Sequence, residues 1–261
     1  MAFKGHEVRL MNQFRGSWRW QLLASAVIFG GIATSGTCAL GQVAEDTTLG
    51  AESSIVTSPI PGGFLIDGGA TRGTNLFHSF SEFSVPTNGI AYFDNALTIQ
   101  NIISRVTGAS ISNIDGVIAA NGTANVFLIN PNGIVFGSNA SLNIGGSFLA
   151  STASSVLFDN GFEFSATNPQ TPPLLTINVP LGLQFGANPG RIVNQSVVSL
   201  AVQPWRTLAL VGGEVALEGG ILFAPDGQIE LGSVAGNSRV SLSATDTGYA
   251  CQFTIRSNWR L

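Results

Sequence analysis

The sequence predicts an all-β protein built as a parallel β-helix. From Glu45 onward, short apolar runs are separated by Gly, Asn, Asp or Pro, and no window of about 11 residues or more shows convincing helical periodicity. The chain holds 32 Gly among 261 residues, and 10% of its residues are charged, against roughly 25% in an ordinary globular domain. A repeat in the C-terminal part then favours the parallel β-helix over other all-β folds.

Seven apolar runs are predicted to be strands, because each is short and bounded by turn residues. They are residues 63–66, 90–93, 114–118, 126–129, 134–136, 174–179 and 197–202. Residues 99–106 are the exception, since their pattern also fits one helical turn.

The clearest regularity lies in residues 207–232. Three consecutive seven-residue units, 207–213, 214–220 and 221–227, each end in Gly and alternate apolar positions. The next unit places Ile229 under Leu208 and Leu231 under Leu210, 21 residues further along. Three sides of seven residues make one triangular coil, and coils stacked about 4.8 Å apart share a core and pair their backbones. An antiparallel sandwich is the competing architecture, but it does not account for this recurrence.

The first coil of such a stack exposes unpaired backbone groups, so the fold needs a cap. The less regular, Phe-rich region at 46–93 is predicted to supply an N-terminal β cap. We expect Phe64, Phe77, Phe80 and Phe83 to cover the first coil.

The N-terminus has the layout of a secretory signal. A basic region ending at Arg19 is followed by the uncharged apolar stretch 21–40 and by a polar stretch. Small residues at Ala39 and Gly41 occupy the positions that a signal peptidase inspects, so residues 1–41 are predicted to be removed. An uncleaved membrane anchor is the alternative, because about 20 apolar residues can span a bilayer.

The charge balance argues against a nucleic-acid partner. The chain has 11 basic and 15 acidic residues. Residues 1–41 contain four of the basic residues and one of the acidic ones, which leaves 7 basic and 14 acidic residues and a net charge of −7. No Lys remains beyond residue 41, so a surface that tracks phosphates is not expected.

Catalytic and metal-binding residues are not predicted. Beyond the signal, His78 is the one histidine and Cys251 the one cysteine, so neither a metal-ligand pair nor a disulfide is expected. We expect His78 to be hydrogen-bonded within the cap rather than to act in a triad. A carbohydrate-active β-helix enzyme remains an alternative class, but it needs clustered carboxylates, and the acidic residues here are scattered.

One octet predicts a tight corner between two strands. Asn130, Pro131, Asn132 and Gly133 separate the apolar runs 126–129 and 134–136. Asn and Pro favour turns, and Gly accepts backbone angles that other residues resist.

Residues 89–97, 102–108, 114–116, 130–134 and 146–152 form an ordered series of blocks. This series resembles the filamentous haemagglutinin N-terminal domain, also called the two-partner secretion domain. Residues 46–50 and 158–164 are most similar to its cyanobacterial versions. On this resemblance, residues 42–250 are predicted to be the secretion domain.

The resemblance implies a right-handed parallel β-helix that needs no cofactor. It implies export by the Sec pathway to the periplasm, then recognition by a dedicated outer-membrane transporter, with the product secreted or held at the cell surface. Folding outside the cell would help to drive translocation. The implied function is secretion targeting of an adhesin, whose binding target would be a host or surface glycan or protein. A structural cell-surface component is a further alternative.

The resemblance also implies the site residues. The motif needed for secretion corresponds to Asn130, Pro131, Asn132, Gly133 and Ile134. The family's earlier motif aligns with residues 94–97, where only Asn95 and Leu97 are kept.

The two motif asparagines have two interpretations. Either Asn130 and Asn132 hold the corner, which we favour, or the transporter reads them directly in the unfolded chain. Residues 251–261 lose the apolar-Gly rhythm, and we predict that this tail reflects a truncated or frame-shifted gene.

Overall fold

A computed structural model describes residues 42–172, 179–245 and 248–253, with side chains up to residue 245. The predicted signal at 1–41, most of the predicted strand 174–179 and the tail beyond residue 253 lie outside the described residues. Within them, one 3-10 turn at Gly50–Glu52 accompanies 24 strands. No helix in this part of the chain has the length and apolar character to cross a membrane.

The strands follow one another along the chain with short connections. Their bounds are β1 Val43–Glu45, β2 Ser54–Ile60, β3 Gly63–Gly68, β4 Ala70–Arg72, β5 Asn75–Phe83, β6 Ile90–Phe93, β7 Asn101–Val106, β8 Ser112–Ile114, β9 Val117–Ala120, β10 Asn125–Ile129, β11 Ile134–Phe136, β12 Ser141–Asn143, β13 Phe148–Ser151, β14 Ser155–Phe158, β15 Glu163–Ser165, β16 Pro180–Gln184, β17 Arg191–Asn194, β18 Leu200–Ala201, β19 Thr207–Gly212, β20 Glu214–Leu217, β21 Leu222–Phe223, β22 Gln228–Ser233, β23 Arg239–Thr245 and β24 Gly248–Phe253.

The chain forms the predicted parallel β-solenoid, and the solenoid has about seven coils. The largest sheet runs in the order β1-β5-β7-β10-β13-β19-β22, and every pair from β5 onward is parallel. Two further sheets, β8-β11-β17-β20 and β2-β3-β6-β9-β12, form the other sides. Each coil therefore contributes strands to successive sides of one stack.

The predicted register of the last coil is confirmed. Leu208 pairs with Ile229 and Leu210 pairs with Leu231. Earlier coils are longer: Asn101 lies 26 residues after its partner Asn75, and 24 residues separate it from Asn125 in the next coil. The 21-residue period is therefore a property of the C-terminal coil rather than of the whole stack.

A fourth sheet, not predicted from the sequence, packs on the outside of the solenoid. It has the order β15-β14-β16-β23-β24 with antiparallel pairing throughout. Its first three strands lie in one excursion of the chain, residues 152–184, which belongs to the long insertion between Phe148 and its partner Leu208. Strands β23 and β24 instead follow β22. The largest sheet consequently has two cores, with Ile102 facing the inside of the solenoid and Ile103 facing the outer sheet.

Burial on both faces explains why the helical interpretation of 99–106 is wrong. The segment from Asn101 to Val106 is strand β7, and all of its residues are buried. A strand covered on both faces does not alternate apolar and polar residues, so its period is hidden in the sequence.

Two predicted strands need correction. The run 114–118 is divided between β8 and β9 by a corner at Asp115 and Gly116, where a side chain on Gly116 would lie 2.4 Å from the oxygen of Gly89. The run 197–202 shrinks to β18, because Val197 and Val198 are exposed and Ser199 has a φ of 75°. The remaining runs within the described residues coincide with β3, β6, β10 and β11.

The N-terminal cap is smaller than predicted. Strands β1 and β2 are antiparallel to β5 and β3, so they end two of the sheets. Phe64, Phe80 and Phe83 instead lie in the inner core of the solenoid, and Phe77 lies in the outer core. These side chains thus belong to the first coils rather than to a lid over them.

Candidate secretion site

The Asn-Pro-Asn-Gly segment forms the corner between β10 and β11. The Asn130 side-chain oxygen accepts a hydrogen bond from the backbone nitrogen of Asn132 (3.0 Å), and the nitrogen of Gly133 donates to the Asn130 carbonyl (3.2 Å). Gly133 has a φ of 134°, which only glycine adopts readily. Local chemistry therefore sets the turn, as the sequence predicts.

Asn130 also ties this corner to the neighbouring coils. Its side chain is fully buried and donates to the Ser110 carbonyl and to Ser112 Oγ, at 3.0 Å each. Its backbone nitrogen donates to the Ser151 carbonyl (2.9 Å). Losing the amide would leave the buried Ser112 Oγ without this donor, which is unfavourable in a buried site.

Asn132 is exposed, but it is not free. Its Nδ2 donates to the Gly108 carbonyl (2.7 Å) and to Asn130 Oδ1 (3.1 Å). On the other side, a side chain at Gly190 would come within 2.5 Å of the Asn132 carbonyl group. The corner is thus packed between the corners of the preceding and following coils.

Pro131 and Ile134 complete the motif in different ways. The Pro131 carbonyl accepts a hydrogen bond from the nitrogen of Gly190 (2.9 Å), and this bond joins the motif to the following coil. Ile134 is fully buried in the solenoid core and pairs with Ser112 and Ile192. Of the motif side chains, Asn132 is the most accessible.

The weaker motif lies on another edge of the solenoid. Asn95 follows β6 and is buried, with its Nδ2 donating to the Asn121 carbonyl (3.2 Å) and its Oδ1 accepting from the Asn121 nitrogen (2.9 Å). Leu97 is 78% exposed. Among the described residues, no hydrogen bond joins this corner to the Asn130 corner.

A cleft of about 320 Å³ opens beside the Asn130 corner. Its walls come from two stacked corners and from the excursion that leads to the outer sheet. The lining residues are Val106, Thr107, Gly108, Ala109, Pro131, Asn132, Ala166, Thr167 and Pro169.

Sequence reasoning missed Arg105, the largest fully buried side chain among the described residues. The signal was present, since Arg105 is the one charged residue in the segment 99–106. The partners of its guanidinium are Ser79 Oγ (2.8 Å), Thr48 Oγ1 (2.9 Å), the carbonyls of Ser165 and Gln170 (3.0 Å each) and the ring of Phe164 (4.1 Å to the ring centre).

A carboxylate completes this buried cluster. Burial lowers the pKa of Arg105 to about 10, while the charge of Asp46 acts in the opposite direction. Burial by itself would raise the pKa of Asp46, but its hydrogen bonds outweigh this effect and hold the pKa below its ordinary value. The donors are Thr107, Thr48 and Ser79.

A second buried arginine holds the same part of the excursion. Arg72 forms an ion pair with Glu52 (2.6 Å) and donates to the Pro172 carbonyl (2.9 Å). Thr171 Oγ1 donates to the Thr48 carbonyl (3.1 Å). Residues 165–172 are therefore fastened to β4 and β7 by two arginines, and to the segment between β1 and β2 by a threonine.

His78 is buried and bonded to the cap, as expected. Its Nδ1 lies 3.0 Å from Ser54 Oγ on β2, and its Nε2 has no hydrogen-bond partner. Burial lowers the pKa of His78 to about 3, although the charge of Asp67 opposes the shift. Among the described residues, no group of His, Cys, Asp and Glu side chains is placed to hold a metal ion.

Comparison with known proteins agrees with this architecture. The family model of the TPS secretion domain matches residues 41–259. The crystal structure of the HMW1 secretion domain from Haemophilus influenzae is 22% identical with a TM-score of 0.59, covering 82% of this chain and 50% of that one. The crystal structure of the filamentous hemagglutinin secretion domain is 16% identical with a TM-score of 0.53, covering 76% of this chain and 65% of that one. The chain thus spans about half the length of the first of these structures.

No curated protein gives a significant sequence match. The family match spans most of the chain, and both solved structures share the solenoid fold. The chain therefore belongs to the family of TPS secretion domains, found in haemagglutinin-like exported proteins.

Proposed function

We propose that residues 42–250 direct an exported haemagglutinin-like adhesin to an outer-membrane transporter of the two-partner type. The family match over residues 41–259 carries this proposal, since it includes the entire solenoid. Residues 1–41 would act as a cleaved signal for the Sec pathway, which delivers the chain to the periplasm. The adhesion target would be a glycan or protein on a host or another surface.

Co-expression tests this function directly. The full chain is produced in a Gram-negative host with and without a two-partner transporter encoded beside it, and the protein is measured in the medium, the periplasm and the cells. We expect export only with the transporter, and an N-terminus near residue 42 in the exported protein. Equal release without any transporter would overturn the proposal.

Catalysis has no support from the described residues. Their one histidine is buried with a lowered pKa, and their acidic side chains form no metal-binding group. We therefore propose a targeting role rather than a polysaccharide-processing one. Assay of the purified protein on polysaccharides checks this choice, and turnover of any of them would contradict it.

We propose that Asn130 serves secretion by holding the corner. Its buried amide bonds to the Ser110 carbonyl and to Ser112 Oγ leave no side-chain donor for a transporter in the folded state. Asn130→Ala should lower the free energy of unfolding by about 1–3 kcal/mol and reduce secretion together with it. Asn139→Ala is the matched control, because Asn139 is also a corner asparagine, bonded to Asp115, but lies outside the motif.

Secretion and urea unfolding are measured on the same variants, including Asn132→Ala. If secretion is lost while stability is unchanged, the transporter reads the side chain directly and the corner role is wrong.

For the weaker motif, we propose that Asn95 and Leu97 have different roles. Asn95 would hold its corner, and Leu97, 78% exposed, would be available for direct contact. Leu97→Ser should then reduce secretion without reducing stability. Unchanged secretion of this variant would remove Leu97 from the site.

A further inference from the structure

Asn132 and Gly133 form an Asn-Gly step, at which asparagine side chains convert to acid most readily. Glycine has no side chain, so its backbone nitrogen can approach Cγ of the preceding asparagine. The nitrogen attacks Cγ, a proton passes to the leaving side-chain nitrogen, and ammonia departs as a cyclic succinimide forms. Water then opens the ring at either carbonyl and gives aspartate or isoaspartate. Water is the only co-reactant.

The chain contains four Asn-Gly steps, which provide internal comparisons. Their asparagines are Asn88, Asn121, Asn132 and Asn160. In an unfolded chain, all four share the same unhindered glycine nitrogen and are open to the same reaction. Differences between them in the folded protein must therefore come from the structure.

Backbone hydrogen bonds do not distinguish three of these steps. The glycine nitrogen donates to a carbonyl three residues earlier in each case. These bonds are Gly89 to Pro86 (2.8 Å), Gly133 to Asn130 (3.2 Å) and Gly161 to Phe158 (3.2 Å). The three steps differ instead in how firmly hydrogen bonds hold the asparagine side chain.

That restraint is strong at Asn132 and absent at Asn88. The Asn132 amide nitrogen donates to the Gly108 carbonyl and to Asn130 Oδ1, so Cγ cannot rotate towards the attacking nitrogen without breaking both bonds. The exposed Asn88 side chain forms no hydrogen bond among the described residues. Asn160 is intermediate, since only its oxygen is engaged, by the nitrogen of Phe162 (3.0 Å).

We propose that Asn132 is a deamidation site of the unfolded chain and that folding of the solenoid protects it. The product would damage the corner. An aspartate carboxylate at position 132 has no N–H to donate, so it would face the oxygens of Gly108 and Asn130 as a repelling acceptor. Isoaspartate would also add a methylene to the backbone of a tightly packed turn. Prolonged residence of the unfolded chain before export therefore destroys the corner that the chain needs in order to refold.

The effect on export rests on the proposed function, but the chemistry does not, so the chemistry is measured on purified protein. The full chain is incubated folded in buffer and unfolded in concentrated urea at the same mildly alkaline pH, and acid formation at each Asn-Gly step is mapped by mass spectrometry. We expect Asn132 to react at least about tenfold more slowly in the folded protein, because reaction then requires local opening. Asn88 should show the weaker protection. Equal rates at Asn132 in both states, or stronger protection at Asn88 than at Asn132, would overturn the proposal.

A variant pair tests the consequence. Asn132→Asp carries the product at the corner, and Asn88→Asp is the matched control at an unrestrained Asn-Gly step. Refolding from urea should be impaired for the first and unchanged for the second. If both refold like the unaltered chain, the claimed damage is wrong even where the rate difference holds. Secretion of the unaltered chain with its transporter is measured in parallel, so failure of the targeting function is recognised separately from failure of this inference.

Discussion

The coils near the two ends of the solenoid differ in how their part of the large sheet is covered. Strand β7, near the N-terminal end, is buried on both faces, by the solenoid interior and by the outer sheet. In β22, the last strand of the same sheet, Ile229 and Leu231 are 46% and 44% exposed. The covered end has irregular coils and buried charges, whereas the regular 21-residue repeat runs from the fully buried β19 to the largely exposed β22. Regularity in this sequence therefore marks the repeat geometry and not the degree of burial.

The largest expected contrast comes from two phenylalanines. Phe164→Ala removes a fully buried ring that packs on Phe77 and on the guanidinium of Arg105, so the free energy of unfolding should fall by about 3–5 kcal/mol. Phe223→Ala, at a 56% exposed position in the C-terminal coil, should change it by less than about 1 kcal/mol. Urea unfolding of both variants measures the difference. Similar losses would mean that the two ends are equally well packed in solution.

The next largest contrast in stability is expected between substitution of a buried arginine and substitution of an exposed one. Arg105→Met removes the donors that bond the Ser165 and Gln170 carbonyls, and we expect a loss of about 3 kcal/mol because the Ser165 acceptor stays buried. Arg239→Met removes an exposed charge and should change stability by about 0.5 kcal/mol or less. A loss after Arg105→Met as small as that of the control would show that the buried cluster is not a fastening for the excursion.

Lowering the pH should destabilise the folded state at the covered end, because His78 there binds a proton more readily when the chain is unfolded. Its pKa is about 3 in the folded protein and about 6.5 when unfolded, so the unfolded state binds the extra proton between these values. The stability that the neutral His78 contributes is therefore fully present above pH 6.5 and is lost as the pH falls towards 3. The expected loss between pH 7 and pH 5 is about 2 kcal/mol.

The lowered pKa of Asp46 acts at more acidic pH. Its contribution is present above the unfolded value of 3.8 and disappears only below it. Between pH 7 and pH 5, the pH dependence of the free energy of unfolding should thus come from His78, and His78→Gln should reduce it. An unchanged pH dependence in that variant would assign the acid sensitivity to another group.

Part of the candidate site was predictable from the sequence because its chemistry is local. Asn130, Pro131 and Gly133 specify a corner through turn preferences and through a backbone angle that glycine adopts, and the structure has this corner. The partners of Asn130 on another coil were not predictable, because Ser110 and Ser112 reach it only through the stacking register. Arg105 was missed for the same reason, since its partners at Thr48, Ser165 and Gln170 are far away in sequence.

By itself, the sequence determined an all-β solenoid, the register of the last coil and the position of the Asn130 corner. These features depend on alternation, turn residues and a short repeat, all of which act over a few residues or one coil. The tertiary structure alone decided the outer antiparallel sheet, the two-faced burial of β7 and the fastening of residues 165–172 to β4 and β7. Those features depend on which distant segments cover a sheet face or meet a buried charge, and the local pattern of side chains does not encode the partner.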